Sequence, residues 1–254
     1  GAVLCAGGGA AHRPCVGELM RGALFDLDGT LIDSVADIGS AVNQALADHG
    51  LPTHPLDAYY DFVGEGVDAL FDRAMAPRPR DPAVVEHYKQ LYRQQMLVHT
   101  RVYPGVHALL RSLAADGWTV GVLSNKPDPA TQALVTHFFG DIPWRHIAGN
   151  RPDWPRKPDP AAALHAAAAL GVPPQRCWFV GDTAVDRETA ARAGMRFAGV
   201  TWGFRPREVE GLQAPDATVH DSEALWTALQ GDTLAVAPDV APGRWQSPAK
   251  SVKV

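Results

Sequence analysis

Two aspartates one residue apart, Asp26 and Asp28, follow directly on the apolar run Ala23-Leu24-Phe25 and lead into Gly29-Thr30. Carboxylates at the mouth of a buried segment are costly to desolvate unless something positive sits beside them. A bound cation or a phosphate-handling site would supply that partner. The plain alternative is a strand ending in a solvated Asp-Gly turn. Three further clusters carry polar groups of matching chemistry: Ser124-Asn125, Lys157 at the head of Lys-Pro-Asp-Pro, and Asp182 with Asp186 after Gly181. Aspartate oxygens are the hard donors that Mg²⁺ prefers. Carboxylates, a metal, a hydroxyl and a lysine suit phosphoryl transfer. One carboxylate attacks phosphorus, the metal and lysine stabilise the equatorial charge, and a second carboxylate handles the leaving-group proton.

Such side chains need a frame that brings distant segments together. The run Ala23–Phe25 reads as a short buried strand. Further strands are expected at 118–123, 144–148, 177–180, 197–200 and 217–219, with helices at about 105–116, 129–139, 160–170, 185–193 and 221–230 between and after them. This alternation implies an α/β fold, a Rossmann-like parallel sheet with helices on both faces, whose sites lie at the carboxyl ends of the strands. The four polar clusters fall at strand or helix ends of this kind. Residues 34–100 break the alternation. Val35, Ile38, Val42 and Leu46 recur at helical spacing, a second periodic stretch from Pro55 to Met75 is interrupted at Gly64-Glu65-Gly66, and Asp81 caps a third with Pro82 at its first position. This block is expected to be an all-helical insert, leaving 20–33 and 101–230 as the core.

Composition limits the classes of function. The 254 residues hold 46% apolar residues, enough for a substantial core. A net charge of −5 and a pI near 6.0 give no electrostatic case for nucleic acid or an anionic membrane. No apolar stretch approaches the roughly 20 residues of a membrane span. Cys5, Cys15 and Cys177 fit neither a zinc site nor a disulfide framework, so a cytoplasmic setting is expected. Residues 1–19, rich in Gly and Ala, read as disordered or artificially added. Residues 231–254, rich in Pro and Ala, read as a flexible tail.

The clusters in order, Asp26-Leu27-Asp28-Gly29-Thr30, Ser124-Asn125, Lys157-Pro158 and Gly181-Asp182-Thr183-Ala184-Val185-Asp186, resemble the four motifs of the haloacid dehalogenase superfamily of hydrolases. The likeness covers about residues 20–230 and is specific because all four motifs stand in order at element ends. It implies a core of that fold with a helical cap inserted after the first strand. It implies Asp26 as nucleophile, forming an aspartyl-phosphate, and Asp28 as acid and then base. Ser124 and Lys157 would hold the transferring phosphoryl group, with Thr30 and Asn125 in support near the substrate. Mg²⁺ would be bound by Asp26, the backbone carbonyl of Asp28, Asp182 and Asp186. An acid at Asp28 suits a phosphate ester, whose alkoxide leaving group needs a proton.

The cap loop Gly64-Glu65-Gly66, Ser-Asn-Lys-Pro at 124–127 and Tyr103-Pro104-Gly105-Val106 further resemble the phosphoglycolate phosphatase branch. The resemblance therefore implies a small phosphorylated metabolite as partner, with 2-phosphoglycolate leading, and a monomer or homodimer. Other sugar phosphates, an amino-sugar phosphate, pyrophosphate, a β-phosphoglucomutase-like mutase reaction and a non-catalytic binding role remain open alternatives. Glu65 is awkward beside an anionic substrate unless it faces away or meets a cation. Among plainer readings, Asp182 and Asp186 could be helix-capping residues, Ser124 a cap and Lys157 an ordinary surface lysine. The ten histidines show no metal-ligand spacing.

Overall fold

The computed structural model describes residues 20–214 and 216–231. Both expected disordered ends lie almost wholly outside these residues. Six parallel strands form the central sheet: β1 (Gly22–Phe25), β4 (Thr119–Pro127), β5 (His146–Asn150), β6 (Cys177–Gly181), β7 (Arg196–Val200) and β8 (Ala217–Val219). Their order is β5-β4-β1-β6-β7-β8, so β1 is central and pairs with β4 and β6. Successive β1 side chains serve opposite faces, as strand geometry requires. Ala23 and Phe25 join one core with α5 (Val106–Ala115), α6 (Asp128–Phe139) and α10 (Ser222–Gln230); Leu24 joins the other with α7 (Ala161–Leu170) and α8 (Ala184–Ala193). A short helix α9 (Pro206–Val209) follows β7.

The helical insert lies between two strands too short for any periodicity to reveal. Ile32–Asp33 (β2) and Arg101–Val102 (β3) pair antiparallel as the neck through which the chain leaves and re-enters the core. Between them lie α1 (Val35–Asp48), α2 (Tyr59–Phe62), α3 (Val67–Ala74) and α4 (Pro82–Gln95). These helices enclose their own apolar cluster, including Ile38, Val42, Tyr59, Phe71, Val84 and Tyr88. Asp81 caps α4 as expected, accepting a hydrogen bond from the Ala83 N–H at 2.8 Å. Asp37 ties α1 to the return strand. Its buried carboxylate accepts from the backbone N–H groups of His99 and Thr100 and from the Thr100 hydroxyl.

Two strands, β4 and β5, differ from the sequence reading by more than one residue at a boundary. β4 continues through Ser124–Pro127, past its expected end at 123, because Pro127 still pairs with Asn150 after a register shift. β5 starts at His146 rather than 144. Trp144 belongs instead to a turn, where its indole N–H donates to the Phe139 carbonyl at 3.0 Å. Its apolar character marked core packing, not a strand.

Candidate active site

The central strand delivers Asp26 to the sheet's carboxyl edge, with its N–H on the Val180 carbonyl at 2.9 Å. The chain then turns sharply. The Leu27 carbonyl accepts from the N–H groups of Thr30, Leu31 and Ile32, and Gly29 adopts φ +84°, which its missing side chain allows. The turn separates the two aspartates. Asp26 stays with the core, while Asp28 meets the Ser34 hydroxyl at 2.5 Å and the Lys126 ammonium at 2.9 and 3.1 Å.

Asp26, Asp182 and Asp186 are all buried and can bring oxygens within 4.8 Å of one another. Among the described residues Lys157 is their one cationic partner, 2.6 Å from Asp186 and 2.9 Å from Asp26. The second contact is an ion pair that leaves Asp26 Oδ1 without an aligned hydrogen bond. Burial pushes the Asp26 carboxyl up to about 6, against Lys157 and assisted by Asp186. Asp182 is pushed well up as well, by burial first and then by Asp186 and Asp26. Burial alone would lower the Lys157 ammonium, but the two aspartates outweigh it and raise it. One ammonium facing three buried carboxyl groups leaves the site short of positive charge. The donor set, hard oxygens lacking positive charge, fits a divalent cation.

The remaining contacts hold these groups in place. Asp182 accepts from the Thr30 hydroxyl at 3.2 Å and the Phe204 N–H at 2.7 Å. Thr183, not an aspartate, is the N-cap of α8. Asp186 completes that capping box with one oxygen and holds Lys157 with the other. Asn125 bonds both the N–H and the carbonyl of Lys157, at 2.9 and 3.2 Å, and reaches the Gly64 carbonyl at 3.4 Å. The second and third clusters are thereby joined to each other and to the cap.

The cap closes over this edge at Gly64 and Gly66, both with positive φ. A cleft with about 410 Å³ of empty space, open to solvent, lies between, lined by Asp26, Asp28, Ser124, Lys126, Gly64 and Gly66 among others. Thr30 and Glu65 do not line it. The Thr30 hydroxyl is spent on Asp182, and Glu65 turns to Arg73 and Arg205. Arg205 also donates to the Asp61 and Val63 carbonyls at 2.9 and 2.7 Å, latching the cap loop to the core. The Asp28 carboxylate stands outside the carboxylate trio. Sequence reasoning singled out neither Lys126, Ser34 nor Arg205. The lysine lay in the quoted Ser-Asn-Lys-Pro segment, where an ammonium just past a buried strand was the available signal.

A parallel sheet presenting a buried carboxylate, a cation-seeking trio and a small capped cleft defines a hydrolase for small phosphorylated substrates. The family model for haloacid dehalogenase-like hydrolases matches residues 20–194, and the chain belongs to that family. Among curated relatives it is 38% identical over 210 residues to a phosphoglycolate phosphatase of Cereibacter sphaeroides (strain ATCC 17025 / ATH 2.4.3), covering 80% of this chain and 95% of that protein. It is 35% identical to a phosphoglycolate phosphatase of Pseudomonas putida, covering 82% and 79%. A solved structure of a predicted phosphoglycolate phosphatase from Haemophilus somnus superposes with TM-score 0.71 at 26% identity, covering 81% of this chain and 96% of that one. The chain is a phosphoric monoester hydrolase with the expected α/β core and helical cap. Among the described residues, no helix is long and apolar enough to cross a membrane.

Proposed function

We propose that the protein is a Mg²⁺-dependent phosphatase that hydrolyses 2-phosphoglycolate in the cytoplasm through an aspartyl-phosphate. The observation that carries this reading is the division of the two motif aspartates. Asp26 sits among carboxylates and shares Lys157 with Asp186; Asp28 sits apart, on the cleft, with Ser34 and Lys126. An Asp26 oxygen attacks phosphorus and the ester P–O bond breaks. Asp28 gives its proton to the departing glycolate oxygen, then takes one from the water that attacks the aspartyl-phosphate. Phosphate leaves and the Asp26 carboxylate is restored. Ser124 and Lys157 hold the phosphoryl oxygens. Asp26, Asp182 and Asp186, with the Asp28 carbonyl, would hold Mg²⁺, which when bound offsets charge on the phosphoryl oxygens.

The choice of 2-phosphoglycolate is supported by the names of the curated relatives and by the small cleft under the Gly64–Gly66 loop. Phosphate release from a panel containing 2-phosphoglycolate, sugar phosphates and pyrophosphate, with and without Mg²⁺, tests it. The highest kcat/KM should fall on 2-phosphoglycolate and vanish with Asp26→Asn in a folded variant. An active Asp26→Asn, or a clear preference for another ester, would count against the mechanism or the substrate respectively.

A further inference from the structure

The described residues bring one cation to the cleft, and beyond pairing with Asp28 it takes no part in the reaction as proposed. Among the described residues that line the cleft, Lys126 alone carries a positive charge. Its neighbours' charges are committed elsewhere. Lys157 is held by Asp26 and Asp186, Arg205 by cap carbonyls and Glu65, and Arg156 stands by Asp68. The Lys126 ammonium is buried, with a side chain 4% exposed. Both of its hydrogen bonds within the described residues go to the same carboxylate, Asp28, and the Tyr92 ring of the cap lies 4.6 Å from the ammonium. An ammonium has three N–H donors, so capacity remains for another acceptor.

The place of Lys126 follows from the chemistry at Asp28. Resting on the function proposed above, Asp28 must reach the ester oxygen to deliver its proton. A group two bonds beyond that oxygen then lies beside whatever flanks the Asp28 carboxylate, and that is Lys126 Nζ at 2.9 Å. In 2-phosphoglycolate that group is a carboxylate. The geometry points to Lys126 as the residue that reads the second anionic group of the substrate, making the enzyme selective for phosphate esters with a carboxylate adjacent to the ester carbon. Lys126 divides itself between Asp28 and the incoming carboxylate, while the Tyr92 ring faces its ammonium. The cap thus contributes to specificity by positioning a core lysine.

The test compares 2-phosphoglycolate with ethyl phosphate, which replaces the carboxylate by a methyl group. Any effect of Lys126 on Asp28 enters both reactions, so the ratio of the two kcat/KM values isolates recognition of the carboxylate. The wild type should favour 2-phosphoglycolate. Lys126→Met should lower that ratio by roughly 10- to 100-fold, the value of a hydrogen bond to a charged group, with Lys126→Arg recovering part of it. An equal fall on both substrates would make Lys126 only a partner of Asp28 and overturn the proposal. If the Met variant does not fold, the wild-type ratio still decides, because equal turnover of the two esters overturns it. A wild type that prefers another carboxylate-bearing ester, such as 2-phospholactate, with the same Lys126 dependence, would refute 2-phosphoglycolate as substrate and uphold this role. Release of phosphate from none of the esters would overturn both.

Discussion

Gly203 tests the site without altering any residue that would touch metal or substrate. A Cβ on Gly203 would lie 2.3 Å from Asp182 Cβ, 2.3 Å from the Gly29 carbonyl oxygen and 2.6 Å from Asp182 Oδ2. Contacts under 3.0 Å are not tolerated, so the neighbours must part by roughly 0.7 Å. Neither obstacle is the free end of a flexible chain. One is backbone, at a glycine with φ +84°, and the other is the root of a carboxylate fixed by Thr30 and Phe204. Overpacking of this kind costs about 1–3 kcal/mol, or about 2–4 °C of melting temperature per kcal/mol in a protein this size. Catalysis should suffer more, since a misplacement approaching 1 Å costs on the order of 100-fold. The assay is kcat/KM for 2-phosphoglycolate across a Mg²⁺ titration, with thermal melts. Gly203→Ala should lower kcat/KM by about 100-fold and raise the Mg²⁺ needed for half-activity by about 10-fold or more. Gly231→Ala, where a Cβ meets nothing within 4 Å, should match the wild type. A Gly203→Ala enzyme with unchanged kcat/KM and unchanged metal dependence would refute the claim that Asp182 is held in place by this packing.

Other consequences follow from contacts that cross the molecule. Asp37→Ala removes the acceptor of the His99 and Thr100 N–H groups and should cost about 3–5 kcal/mol in urea unfolding; a loss under 1 kcal/mol would show that water replaces the carboxylate. Arg205→Ala should free the cap loop, raising KM and speeding amide exchange at 61–66, with Arg205→Lys a poor rescue because an ammonium lacks the guanidinium's fork. Unchanged exchange would contradict the latch. Burial pushes the Cys177 thiol up to about 12, so its peptide should stay unalkylated by iodoacetamide at pH 8 in the folded protein and react once urea unfolds it.

What the sequence disclosed was local; what it concealed was assembled across distance. Asp26 and Asp182 stand just past strand ends, Asp186 in the first turn of α8, Ser124 within β4 and Lys157 in the loop before α7, all in short polar motifs, and the cap helices carry a strong helical period. The β2–β3 neck leaves no such trace, with two residues per strand. Lys126 is separated from Asp28 by 98 positions, Arg205 from the Val63 carbonyl by 142, and Asp37 from Thr100 by 63. No period or motif encodes these meetings. Glu65 illustrates the limit: an acid in a cap loop looked opposed to an anionic substrate until the fold set Arg73 and Arg205 beside it. Burial would raise its carboxyl, yet the two arginines hold it below its ordinary value.

Two lysines give the paired aspartates different work. Asp26 shares Lys157 with Asp186, so its own charge is only partly met, and the shortfall is available to a cation and to developing charge at phosphorus. Asp28 has Lys126, from the end of β4, with the Ser34 hydroxyl completing its hydrogen bonds. Were both aspartates to depend on a single lysine, adding substrate would strip the nucleophile and the proton carrier of their partner together. Separate partners uncouple the steps. In the proposed mechanism, phosphoryl transfer would draw on Lys157 while the leaving group and its charge would engage Lys126. The turn at Leu27–Thr30 makes this separation possible, because it takes Asp28 out of the carboxylate trio and into the cleft. The spacing of one residue between the aspartates therefore places two chemically similar groups in electrostatically different surroundings, which suits the separate roles of nucleophile and acid proposed for them.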